Sequence, residues 1–86
     1  MYIHIGNNYV TKNEDIIGIF DLDSTTVSKK TRFYLSLAEK RGEVISINYD
    51  LPKSFIVCSS KNKENKVYLS QLSTNTLLKR IENKNF

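Results

Sequence analysis

Apolar and polar positions alternate along this chain in two rhythms, one with a period near two and one near 3.6. The densest stretch runs from Pro52 to Arg80. Phe55-Ile56-Val57-Cys58 is continuously apolar, and a strand of that kind must be covered on both faces or by a partner. Val67-Tyr68-Leu69-Ser70 is half polar, and the Ser59 to Lys66 segment between them has no apolar residue and three lysines. The pattern predicts two strands joined by a solvated hairpin loop. A short helix follows, capped by Ser73 or Thr74, with Leu77, Leu78 and Ile81 inward and Lys79, Arg80 and Glu82 outward.

Upstream, Met1 to Ile5 alternates like a half-buried strand, Gly6-Asn7-Asn8 suits a turn, and Tyr9-Val10-Thr11 returns as a second strand. Lys12 to Asp15 is a charged turn. Ile16 to Leu22 is the most hydrophobic of these strands, with Gly18 marking a bulge or a close backbone approach. The three strands are expected to form a meander. Ser24, Thr25, Thr26 and Ser28 are all competent N-caps for a helix from about Lys29 to Arg41, with Phe33, Leu37 and Ala38 on its apolar stripe. Gly42 is placed for the left-handed C′ position, and Lys40 and Arg41 complement the dipole of the last turn. Val44 to Tyr49 alternates as another strand, and Asp50 to Lys53 is a turn fixed by Pro52. The fold class is α+β: one domain over residues 1–86 in the order β-β-β-α-β-β-β-α, antiparallel-rich, with a frayed tail over 83–86.

A domain of 86 residues buries only about 60% of its unfolded surface, so self-association would add to a thin stability margin. The single cysteine, Cys58, cannot form an internal disulfide or a multi-cysteine zinc site. That suits a reducing compartment. Neither a secretory leader pattern nor a membrane-length apolar run is visible, and a cytoplasmic location is expected. The net charge of +4 favours an anionic partner such as nucleic acid, although a Lys-, Asn- and Ile-rich bias arises equally from AT-rich coding.

The opening Tyr2-Ile3-His4-Ile5-Gly6, the strand Asp15-Ile16-Ile17-Gly18-Ile19-Phe20-Asp21, the Pro52-Lys53-Ser54 turn and the closing Tyr68-Leu69-Ser70 with Leu72-Ser73-Thr74-Asn75-Thr76-Leu77 carry a family likeness. Together they resemble the extracellular matrix regulator RemA/RemB family, closest to its RemB branch. The resemblance implies a cytoplasmic bacterial regulator supporting expression of biofilm matrix genes, and for the RemA branch closed rings that bind DNA along their rim. Where the RemA-like pattern reads Tyr-Gly-Arg-Arg-Thr-Arg, with arginines associated with DNA contact, this chain reads Tyr49-Asp50-Leu51-Pro52-Lys53-Ser54. The adjacent pair of guanidiniums is absent, with Leu51 and Pro52 in its place.

The expected partners are duplex DNA, held through its phosphates, and further copies of the chain in a ring-like homo-oligomer; the alternative is an oligomeric protein-interaction module that does not itself bind DNA. Lys29, Lys30, Arg32, Lys40, Arg41 and Lys53 are the candidate phosphate contacts, weighed against ordinary solvated cations. Ile3, Ile5, Phe55, Val57 and Tyr68 are the candidate subunit contacts. Lys61, Lys63 and Lys66 read as a basic finger or as a solubilising loop. His4 has no second histidine with which to bind metal or share acid-base work, and Cys58 reads as a buried, unreactive thiol. With neither a phosphate loop nor a nucleophile motif, no catalytic residue, metal or cofactor is expected, and the chain does not read as an enzyme.

Overall fold

The central hairpin is formed by β5 and β6, numbered in chain order. In the computed structural model, which describes residues 2–22, 28–47, 51–61 and 64–82, β5 (Ser54–Ser59) pairs antiparallel with β6 (Asn65–Ser70). Both strands lie in the middle of a four-stranded sheet, with β3 (Ile16–Asp21) outside β5 and β4 (Val44–Ser46) outside β6. This position explains the continuous apolar run. Phe55 and Val57 face one layer, and Ile56 and Cys58 face the other, so the strand has a covering layer on both faces.

On one face lies α1 (Lys29–Lys40), whose Leu35 and Ala38 pack with Val44, Phe55, Val67 and Leu69. On the other lie the separate hairpin of β1 (Tyr2–Gly6) and β2 (Tyr9–Lys12) and the helix α2 (Thr74–Glu82). There Ile3, Ile5, Ile47, Ile56, Cys58 and Leu77 form the second core. β3 and β4 run parallel to one another, because each is parallel to β6, and α1 crosses between them around the central antiparallel pair.

The order of elements and the α+β class agree with the sequence. Four details differ. The N-terminal strands are not a meander: a 3-10 turn at Asn13–Asp15 breaks the path after β2, and β3 joins β5 in the other sheet. Phe33 does not face inward but is 66% exposed, since burial of Leu35 and Ala38 rotates the helix so that Phe33 points to solvent. Likewise Leu77 takes the buried position of α2, while Leu78 is left largely exposed. The strand expected to reach Tyr49 is assigned as far as Ser46, with Ile47 buried just beyond it, and residues 48–50 lie outside the described set, as does the tail at 83–86.

Local chemistry sets the ends. Ser28 caps α1, its hydroxyl accepting from the Thr31 N–H at 3.1 Å, and Ser73 caps α2 by accepting from Thr76 N–H at 3.2 Å. Both geometries satisfy a first-turn donor. Gly42 adopts φ +72°, the left-handed conformation expected after a helix. Two fully buried serines tie layers together: Ser54 Oγ donates to the Leu72 carbonyl at 2.7 Å, and Ser70 Oγ donates to the Ile5 carbonyl at 2.7 Å while accepting from Leu72 N–H. Among the described residues no buried side-chain polar atom lacks a partner.

His4 and Cys58 are occupied structurally. Arg80 Nη1 donates to the His4 carbonyl at 2.8 Å and to its Nδ1 at 3.2 Å, while Nε2 meets the Asn7 carbonyl. Arg80, expected to face outward, therefore fastens α2 to β1. Cys58 Sγ lies 3.6 Å from Thr11 Oγ1 in the core, and burial pushes its thiol pKa up. A folded sample at pH 8 is thus expected to react with iodoacetamide at least roughly tenfold more slowly than the same chain in denaturant. Equal rates, followed by mass spectrometry, would place Cys58 at the surface.

Candidate nucleic-acid interface

The sequence offered six cations as phosphate contacts, and the structure sorts them. Residues 29, 32, 33, 36 and 40 recur at intervals of three or four and share one face of α1. All five are exposed. Lys29, Arg32 and Lys40 therefore form a single cationic stripe on the side of the helix turned away from the sheet, about 16 Å long at 1.5 Å per residue. No acidic residue occupies the first turn. The Ser28 cap satisfies one backbone donor there, and the remaining amide dipoles add positive potential to the same end.

The other three cations sit differently. Lys30 turns toward a groove between α1 and the sheet, beside Ile17, Phe20 and Tyr34. Arg41 is the C-cap residue, its N–H bonded to the Leu37 carbonyl at 3.1 Å. Lys53 is exposed at the head of β5, with its backbone fixed between Ser70 and Leu22, which closes the end of β3 from which the chain departs toward α1. Lys53 and the N-terminal end of the stripe thus belong to the same end of the sheet. Of the basic loop, Lys63 lies outside the described residues, and Lys61 and Lys66 flank it.

The candidate subunit contacts require correction. Ile3, Ile5 and Phe55 are almost fully buried within this one chain, so they hold the subunit together and cannot meet another without unfolding it. Tyr68 is half-buried, its pKa raised by that burial, and its ring tilts against Tyr9 at 6.1 Å. Val57 is half-buried at the floor of the groove. What sequence reasoning missed is the apolar surface that is exposed: Ile17 at 67% and Phe20 at 47% on β3, with Tyr34 of α1 across from them. The signal was present in Gly18. A Cβ at that position would lie 2.8 Å from the Phe20 ring, so the glycine lets this ring lie back across the sheet and stack on Phe55 at 4.9 Å.

The profile of a family described as RemA-like, extracellular matrix regulatory protein A-like, matches residues 2–81. This chain belongs to the RemA-like family. The extracellular matrix regulatory protein B of Bacillus subtilis (strain 168) is 33% identical over 82 residues, an alignment covering 95% of this chain and 91% of that protein. The match spans both layers of the fold and the length of α1. Within this RemA-like chain, Leu51 stands in the loop entering β5 and is 89% exposed, an apolar side chain in open solvent beside Lys53. No helix among the described residues is long and apolar enough to cross a membrane.

Proposed function

We propose that this RemA-like chain regulates extracellular matrix genes as a self-assembled protein that docks on duplex DNA through phosphate contacts. The observation that carries the reading is the stripe Lys29, Arg32 and Lys40 on the outer face of α1, reinforced by the cap end of the helix and by Lys53 near that end. Membership of the family and the name of its B. subtilis relative support the regulatory part. Three or four cations per subunit bind weakly alone. In an oligomer they act together, because each docked subunit raises the effective concentration of the next.

A salt series tests this. Binding of duplex DNA by the assembled protein should weaken steeply as salt rises from roughly 50 to 200 mM, with little dependence on sequence, since phosphate contacts carry no base information. A flat salt dependence, or no binding at the low-salt end, overturns the proposal. Leu51 favours a second reading, in which the loop before β5 grips a protein partner: it is fully displayed and apolar where a phosphate contact would need a cation. Under that reading Leu51→Asp abolishes capture of the partner while leaving any DNA binding untouched.

A further inference from the structure

We infer that the groove between β3 and α1 binds a small amphipathic anion, a hydrocarbon chain ending in a carboxylate, with the chain over Ile17, Phe20 and Val57 and the head at Lys30. The groove lies apart from the cationic stripe, so this site stands independently of DNA docking.

Two irregularities of β3 build the groove. The first is the bulge, where the register shifts between Ile16, paired with Cys58, and Gly18, paired with Val57. In a regular strand Ile17 would share a face with Ile19, which packs on the core beneath the β1–β2 hairpin and α2. The bulge turns Ile17 instead to the α1 side, where it borders the groove with Phe20. The second is Gly18, whose missing Cβ lets the Phe20 ring lie along the sheet and stack on Phe55 at 4.9 Å rather than stand into the space before α1. Both features weaken a strand, and neither fills a core, since Ile17 and Phe20 stay exposed. Their shared product is the concavity.

The groove holds about 410 Å³, within the range of roughly 300 to 1,000 Å³ typical of small-molecule sites. Its two walls differ in chemistry. The sheet side, Ile17, Phe20, Phe55 and Val57, is hydrocarbon throughout, and a nucleobase or sugar laid there would leave its own donors and acceptors unpaired. The polar atoms come from α1 alone, where Lys30, Thr31 and Tyr34 recur at helical spacing toward β3. Thr31 already exchanges a hydrogen bond with Ser28 Oγ at 3.0 Å. Of the described residues bordering the groove, Lys30 is the one that carries charge. Asp21 pairs with Ser54 and so belongs to the opposite face from Phe20. An apolar body with a single negative head matches this division, and it accounts for Lys30 leaning away from the other cations of α1. A peptide strand matches it less well, because strand addition needs a regular edge and this one is interrupted at Ile17.

Decanoate is the probe, titrated into the parent chain by calorimetry and followed by amide chemical shifts. Saturable one-to-one binding is expected, with the shifts confined to residues 17–20, 30–34 and 55–57. From hexanoate to decanoate each added methylene should raise affinity roughly three- to fourfold, and decanol and decyltrimethylammonium should each bind at least roughly tenfold more weakly than decanoate. Lys30→Gln should bring decanoate down to the level of decanol while leaving decanol unchanged, which a merely structural lysine would not do. Ile17→Glu, at an exposed position, should keep the circular dichroism of the parent and weaken decanoate at least roughly tenfold by placing a like charge in the groove. Absence of saturable binding, equal affinity for the cationic probe, or shifts lying elsewhere overturns the site. So does capture of anionic-lipid vesicles or of an amphipathic peptide by a chain that does not bind decanoate.

Discussion

Reversing the charge of the α1 stripe, as Lys29→Glu, Arg32→Glu and Lys40→Glu in one chain, is expected to lower affinity for duplex DNA at least a hundredfold at about 50 mM salt, a loss of some 3 kcal/mol at 1.4 kcal/mol per tenfold. Each substitution removes a phosphate attraction and adds a repulsion, and at surface separations each such contact is worth on the order of 1 kcal/mol. The slope of log affinity against log salt should flatten by about one for each contact removed per subunit. The fold should persist, because all three positions are exposed and point away from the sheet. Acid at position 29 even improves the fit with the helix dipole. Fluorescence anisotropy on labelled duplex, with light scattering to verify that the assembly is unchanged, measures both effects. Affinity within a factor of about three of the parent chain would remove α1 from the DNA interface.

Ile56→Ala is expected to have the largest effect on stability. Ile56 is fully buried in the core shared by the sheet, the β1–β2 hairpin and α2, where no exposed flank exists from which water or a neighbouring side chain could fill the space. Truncation of a large aliphatic residue in such a place costs about 2–5 kcal/mol. Against a total of roughly 4 to 13 kcal/mol for a domain of this length, that is a large fraction, and the thermal midpoint should drop by about 10 °C or more. Urea unfolding gives the difference. A cost below about 1 kcal/mol would mean that β5 is not the wall between the two cores.

Residues that satisfy their own neighbours were readable from the sequence. Ser28 and Ser73 cap the helices they precede, Gly42 takes the left-handed turn after α1, and Gly18 marks the irregular pairing of β3, where the register shifts between Ile16 and Gly18. Each depends on geometry within a few residues, which composition and spacing encode directly. The six candidate cations were also readable, but as a set without direction. Periodicity alone could not tell the stripe of Lys29, Arg32 and Lys40 from the inward-leaning Lys30, because Phe33 and Leu37 offered a second apolar register for the helix. Leu35 and Ala38 won that competition by meeting Val44, Val67 and Leu69, residues distant in sequence.

The amino-acid order by itself determined the kinds of element, their succession, the α+β class, the family, and the burial of Cys58. It did so because helix caps, turn glycines and the two hydrophobic periods act over one or two turns of chain. Tertiary structure alone decided which strands became neighbours and which apolar residues stayed outside. β3 leaves β2 for β5, Ile3, Ile5 and Phe55 are consumed by the subunit's own cores, and Ile17 and Phe20 remain on display. The physical reason is that strand pairing and layer packing are contests between segments far apart in the chain, settled by how much apolar surface each arrangement covers, and no local pattern records the outcome.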